Sequence, residues 1–259
     1  MRVIDLDRDM SDVIPTGQTP DSEFLFERMT DATLEAARPG AGRRILDVAS
    51  GVGQDALALA GRGAWVVGAE PSKRMSDMAQ LFSADKPGPH PLWMRSWSDA
   101  LPFADQSFDA VLCKGAIDHF DRPLEAIGEM ARVTKPSGRV VLAIANFESL
   151  ACRVGRAVDD VYEQLRGRPP RRGRRGYDGP SDHFTRYELD LMREQAGRHL
   201  EVDEVEGISL AWGMPGWSRL MASLPRAVSM PVLRALDGVA RRAPSLADVV
   251  VLAGRPRAS

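Results

Sequence analysis

Ile45-Leu46-Asp47-Val48-Ala49-Ser50-Gly51-Val52-Gly53 decides how the rest of the chain is read. Ile45 to Val48 form a short apolar run of strand type. Glycines punctuate it, and from Gln54 to Ala60 apolar residues return at helical spacing. A strand, a glycine turn and a helix in that order leave unbonded N–H groups at the helix N-terminus, and glycine lets a ligand approach the backbone. Such a turn suits a phosphate or a carboxylate. Glu70, 19 residues after Gly51, ends the next apolar run, where an acid can accept from the two hydroxyls of a ribose.

Outward from this unit the same alternation continues. Ala64–Gly68 reads as a second strand, followed by a helix through Met75, Met78, Ala79 and Phe82. Leu92–Met94 and Phe108–Cys113 read as the third and fourth strands. Pro123–Val133 is a helix, Pro136-Ser137-Gly138 a turn, and Arg139–Ala145 a fifth, very apolar strand. Alternating strands and helices with nearly continuous apolar strands predict a parallel sheet covered on both faces. Before the unit, Ser22–Ala37 suits a helix stopped by Pro39-Gly40. After Phe147 come helices at Ala151–Leu165 and Thr185–Ala196, the latter with Thr185 as its cap, and strands at Val202–Val205 and Asp248–Ala253. The expected fold is α/β: a Rossmann-like, seven-stranded, mostly parallel sheet with helices on both faces and a helical cap made by insertions. The expected division is a helical lid over 1–42, a core over 43–147, an insertion over 148–184, core again over 185–207, a second cap insertion over 208–246 and a last core strand and tail over 247–259.

A chain of 259 residues with 44% hydrophobic residues has ample core for one large domain, and a formal net charge of -2 argues against a nucleic-acid partner. Two cysteines, Cys113 and Cys152, cannot make a disulfide framework. With no apolar leader at Met1–Asp5 and no apolar run of membrane-spanning length, a soluble, cytoplasmic protein is expected. No cluster of Cys, His and carboxylate has zinc spacing, so no metal is expected. The sequence sets no oligomeric state.

Taken alone, the turn leaves the ligand open. Gly51, Gly53 and Ala56 also satisfy the loose G-x-G-x-x-G/A dinucleotide pattern, so an NAD(P)-dependent oxidoreductase and a turn without any ligand both remain. Three further features bear on it: Asp47 inside the strand, Leu101-Pro102-Phe103-Ala104-Asp105-Gln106-Ser107-Phe108-Asp109 ahead of the fourth strand, and Val133-Thr134-Lys135-Pro136-Ser137-Gly138-Arg139-Val140 leading into the fifth. With these in order, residues 43–146 resemble the class I S-adenosylmethionine (SAM) dependent methyltransferases of the type that includes ubiquinone and menaquinone biosynthesis enzymes. The likeness is weaker over 181–206 and 247–254.

The resemblance implies SAM as cofactor and assigns positions to it. Asp47, Ala49, Ser50, Gly51 and Gly53 match the loop that holds the methionine part, with Ala49 where the family usually has glycine. Glu70 matches the ribose-binding acid, and Pro71, Ser72 and Met75 the residues packed near the adenine. An acid often contacts the adenine four residues before Leu-Pro-Phe. Here Trp97 stands there, flanked by Ser98 and Asp99, so Asp99 substitutes or Trp97 stacks on the base. Lys114 and Gly115 match the place where backbone carbonyls meet the methionine ammonium.

Methyl transfer is an in-line displacement, and a base is needed only where the acceptor must lose a proton. His119, in Ile117-Asp118-His119-Phe120 after the fourth strand, is the candidate base, with Asp118 to orient it; capping of the next helix is the bland alternative for His119. His183, in Ser181-Asp182-His183-Phe184, is a second candidate. Trp212, Met214 and Trp217 are candidate acceptor contacts, with ordinary helix core as their alternative. The expected reaction is transfer to an oxygen or carbon, or a nitrogen, of a small-molecule or isoprenoid- or quinone-like acceptor. A non-catalytic SAM- or RNA-binding module is the third reading, because Arg166, Arg168, Arg171, Arg172, Arg174 and Arg175 are locally basic. Those arginines also suit a solvated loop. Arg219, Arg226, Arg234, Arg241 and Arg242, mixed with apolar residues, keep a peripheral membrane contact open.

Overall fold

The strand-turn-helix unit is built as expected: β1 (Arg44–Val48) runs through a turn into α2 (Gln54–Gly61). The structure is a computed structural model and describes residues 19–169 and 185–258. In chain order the other elements are α1 (Pro20–Ala37), β2 (Trp65–Ala69), α3 (Lys73–Ala84), β3 (Leu92–Met94), β4 (Phe108–Lys114), α4 (Pro123–Val133), β5 (Thr134–Ala145), α5 (Leu150–Leu165), α6 (Leu189–Gly197), β6 (Leu200–Ile208), α7 (Trp217–Ser223), α8 (Arg226–Arg242) and β7 (Val249–Pro256).

One seven-stranded sheet has the order β3-β2-β1-β4-β5-β7-β6. β3 to β5 are parallel, whereas β7 runs antiparallel to both neighbours, with Val140 opposite Gly254 and Ala145 opposite Val249. A dinucleotide-binding sheet reads 3-2-1-4-5-6, so the wedging of an antiparallel β7 between β5 and β6 departs from that order. The parallel strands are buried on both faces, which is why they read as unbroken apolar runs. On one face α1 and α2 pack Leu25, Leu34 and Leu59 against Ile45, Val66 and Leu112. On the other, α4 and α6 pack Ile127, Met130 and Met192 against Leu46, Val67 and Val111.

Local signals set the helix ends. Pro20 opens α1, with Asp21 and Glu23 in its first turn, where carboxylates oppose the positive end of the helix dipole. The Ser72 hydroxyl caps α3 by accepting from the Met75 amide at 3.1 Å, and Ser149 caps α5 by accepting from the Cys152 amide at 3.2 Å. Two expectations fail. Thr185 is not a cap: α6 starts four residues later at Leu189, because Tyr187, fully buried, accepts from the Phe147 amide at 3.0 Å and holds 185–188 extended. The 136–138 turn is absorbed into β5, where register jumps from Phe108 opposite Thr134 to Ala110 opposite Arg139. No helix among the described residues is long and apolar enough to cross a membrane.

Candidate functional site

The carboxyl ends of β1, β2 and β4 converge on the turn after β1. Residues 49, 51 and 53 all take positive φ, of 56°, 53° and 80°. Gly53 carries a second constraint: a Cβ there would stand 2.1 Å from the Trp93 ring, and one on Gly68 would stand 2.5 Å from it. Trp93 therefore lies flat across β2 and the start of α2, its indole N–H donating to Ser83 Oγ at 3.4 Å. The sequence reading missed this wall, although a glycine inside a strand, Gly68, is the usual mark of a close approach.

Acids surround the turn. Asp47, in β1, is buried, and its Oδ2 has no hydrogen-bond partner; the same holds for the hydroxyl of Ser50. Burial, reinforced by the negative charge of Asp55, pushes the Asp47 carboxyl well above the usual carboxylate range, and Lys114 opposes the shift. Glu70 accepts from the Gly51 amide through Oε2 and from the Ser72 amide through Oε1, each at 3.0 Å. Met75 packs beneath the turn, its Cε 3.5 Å from the position of a Gly51 Cβ.

Lys114 at the end of β4 donates to Thr30 Oγ1 of α1 at 2.7 Å and to Asp55 Oδ1 of α2 at 2.8 Å. Next to it Gly115 takes a φ of 63° and donates its amide to Ala143 O at 2.8 Å. The turn thus shares its ion pair with the first helix, a link the sequence did not announce.

The Leu101–Phe103 segment is held by α4. Arg132 donates to Leu101 O at 3.0 Å and to Phe103 O at 2.8 Å, and Glu129 accepts from the Leu101 amide at 2.9 Å. The hydrogen bonds from Arg132 hold the Glu129 carboxyl below its ordinary value. Trp97 and Ser98, just upstream, are half-buried, while the Asp99 carboxylate pairs with Arg122 at 2.6 Å, at the start of α4. Pro71 is tied to the neighbouring strand through Arg95, which donates to its carbonyl at 2.9 Å.

Past β4, a 3-10 turn spans Ile117–His119. His119 is exposed on it, at the carboxyl edge of the sheet. Asp118 is buried beneath, and its charge opposes ionisation of Tyr187 and Cys113, both of which burial already pushes up. His183, with Arg171, Arg172, Arg174 and Arg175, lies outside the described residues.

The three cap candidates share one loop and helix. Trp212 donates its amide to Asp248 Oδ2 at 2.9 Å and its indole N–H to Ser22 Oγ of α1 at 3.1 Å, and its ring meets Phe26 edge-on. Met214 is half-buried and bonds back to Ala211. Trp217 packs with Phe24, Met221 and Leu233, the core position that its alternative reading allowed, and its Nε1 has no hydrogen-bond partner. Ser209 and Ala211 hold φ of 59° and 75°, a strained path pinned by Asp248. Among the described residues no group of His, Cys, Asp and Glu could hold a metal ion.

Comparison with known proteins identifies this arrangement. Residues 46–142, from β1 into β5, match the family described as a methyltransferase domain. Residues 46–142 carry a methyltransferase domain. It is similar to demethylmenaquinone methyltransferase of Clavibacter sepedonicus, 38% identical over 131 residues, 51% of this chain and 52% of that protein. It is also similar to the uncharacterized methyltransferase YcgJ of Bacillus subtilis, 33% identical over 109 residues, 42% of this chain and 43% of that one. The chain thus spans about half the length of the curated relatives it matches. Over the whole fold, the crystal structure of YcgJ superposes with a TM-score of 0.57 at 18% identity, covering 90% of this chain and 100% of that one. The [4+2]-cyclase SpnF gives 0.60 at 18%, covering 90% and 82%. The methyltransferase family implies SAM, and the donor end of the site fits it. A positive-φ turn, an orphaned buried Asp47 oxygen and the Glu70 carboxylate at the end of the next strand suit a molecule bearing an ammonium, a sulfonium and a ribose.

Proposed function

We propose that the protein transfers the methyl group of SAM to an oxygen or carbon, or a nitrogen, of a small-molecule or isoprenoid- or quinone-like acceptor. One observation carries the reading: Asp47 and Glu70, at the ends of adjacent strands, flank a turn of three positive-φ residues, with Asp47 Oδ2 buried and without a partner. Bound SAM supplies a methyl group on a sulfonium, which an acceptor displaces in line. In this reading Asp47 and the Gly115 carbonyl answer the methionine ammonium, with Ala49, Ser50, Gly51 and Gly53 against the methionine chain and Lys114 holding that wall. Glu70 accepts from the ribose hydroxyls, while Pro71, Met75, Trp97 and Ser98 enclose the adenine. Asp99, paired with Arg122, holds its loop and leaves the base to the Trp97 ring.

The acceptor enters beside Trp212, Met214 and Trp217. Most of the rate then comes from alignment, and His119 takes the proton of a hydroxyl acceptor. The quinone-like end of the acceptor range draws support from the relative named demethylmenaquinone methyltransferase. The cytoplasm is the compartment in this reading, since Cys113 and Cys152 are both free thiols.

Titration calorimetry tests it. SAM and its demethylated product should bind at micromolar level, about 8 kcal/mol. Glu70→Ala should weaken that binding at least tenfold, because each hydrogen bond to a charged group is worth about 1.5–3 kcal/mol. Binding of NAD(H) without SAM would replace the reading with the oxidoreductase one. Salt-sensitive RNA affinity without turnover would favour the binding module.

A further inference from the structure

We propose that α7 and the outward side of α8 dock on an anionic lipid bilayer. The inward side of α8 is spent on packing: Leu233 closes a small core with Phe24 and Met221, and Ala240 another with Leu210 and Ala247. The outward side carries a second apolar row. Val228, Val232, Ala235 and Val239 follow at i, i+4, i+7 and i+11, which is one stripe of a helix. All four are exposed, Val228 and Val239 by nearly half, and Leu220 of α7 adds to the same character at 49%. This row is separate from the packed one, about 110° around the helix from it, and forms a contiguous exposed apolar strip of the kind that marks an interaction surface.

The charge around this row is one-sided. Residues 209–247 contain five arginines and one acid, Asp237, and that acid is buried, bonded to Arg28 and Arg241. Arg226 pairs with Glu23, and Arg241 with Asp237 and Glu206. Arg219, Arg234 and Arg242 have no carboxylate partner among the described residues, and all three are exposed. Arg234 and Arg242 stand on α8 itself; Arg242, three residues after Val239 and seven after Ala235, borders the apolar row, and its long stem can lie along it while the guanidinium group reaches outward. Such a surface complements phosphate headgroups over an acyl boundary.

A lipid surface is favoured over a protein partner by what the stripe lacks. It has shallow aliphatic side chains and no exposed aromatic residue to anchor in a partner's pocket. The comparison with α5 sharpens this. That helix also exposes Val158, Val161, Tyr162 and Leu165, but Asp159 and Asp160 stand within the same turns, and a negative surface would repel them. The proposal rests on the chemistry of this face alone and is independent of the donor-site assignment.

Vesicle co-sedimentation of the full chain tests it. Phosphatidylcholine vesicles containing phosphatidylglycerol should retain at least tenfold more protein than phosphatidylcholine alone, and the difference should vanish as salt is raised. Arg219→Glu, Arg234→Glu and Arg242→Glu combined should abolish retention. Val228→Ser with Val232→Ser and Val239→Ser should reduce it at low salt, with thermal unfolding unchanged in both variants because the positions are exposed. Equal retention by both vesicle types, or none, overturns the proposal. So does retention that survives the α8 variants and is lost when Arg171, Arg172, Arg174 and Arg175 become Ser. A chain that sediments as a dimer, ignores vesicles and turns monomeric with the Val→Ser variant shows that a second copy covers the face, and it too overturns the proposal.

Discussion

Ala49 holds a left-handed φ of 56° in a turn where the neighbouring Gly51 and Gly53 do the same without a Cβ. Such a conformation costs an L-residue about 1–2 kcal/mol, and it survives because the strand on one side and α2 on the other leave the chain no other path. At this scale the sequence was informative wherever chemistry depends on residue type: Asp47, Glu70, Gly51 and Gly53 stand around one turn, as their spacing suggested. It was silent where a role depends on what lies opposite. Asp99 is identical in sequence terms to a free surface acid, and only the fold brings Arg122 to it. His119 is the residue on which the chemistry can be divided. If it takes the acceptor's proton, His119→Ala should lower turnover by about 10²–10⁴ while SAM affinity stays within twofold, measured by turnover with labelled SAM and by calorimetry. Full turnover would return His119 to a structural position on its 3-10 turn.

At the scale of elements, unbroken apolar runs found the parallel strands, which are buried on both faces, and helical periodicity found most of the helices, each with a buried and an exposed side. It erred at α6, where buried Tyr187 and its hydrogen bond to Phe147 override a plausible Thr185 cap, a tertiary contact no local pattern carries. It also gave no sign of what lies beside the turn after β1, where Trp93 stands against Gly53. Gly53→Ala brings two penalties together, a left-handed alanine of about 1–2 kcal/mol and an overpacked ring of about 1–3 kcal/mol. The expected loss is roughly 2–5 kcal/mol in urea unfolding, together with loss of SAM binding, since the ring cannot recede without moving Gly68 on β2. Stability within half a kcal/mol of the parent would mean that Trp93 moves freely.

At the scale of the molecule, buried acids set how stability follows pH. Burial pushes Asp248 up to about 7, against the bonds from Trp212 and Ser209 that pull it down. Between the ordinary carboxylate range and about 7, the unfolded chain has released this proton and the folded chain has kept it. Stability therefore falls as pH rises through that window, by about 1.4 kcal/mol per unit and about 4 kcal/mol in all. Asp47, shifted in the same direction, adds to the slope. Asp248→Asn retains an acceptor for the Trp212 amide and should remove most of its share, leaving the variant more stable than the parent at pH 8 and similar at pH 4, as read by urea unfolding at the two pH values. A parent whose stability rises from pH 5 to pH 8 would contradict the sign.

The position of β7 has a consequence for synthesis on the ribosome. The sheet is translated in the order β1 to β7, yet β7 belongs in its interior, between β5 and β6. Until residue 256 has left the exit tunnel, the apolar stretch Val140–Ala145 presents an unbonded edge, and β6 has no neighbour to join. A nascent chain in that state exposes a long aliphatic edge of the kind that pairs with other chains, so the seconds before the final strand arrives are when this protein most depends on chaperones.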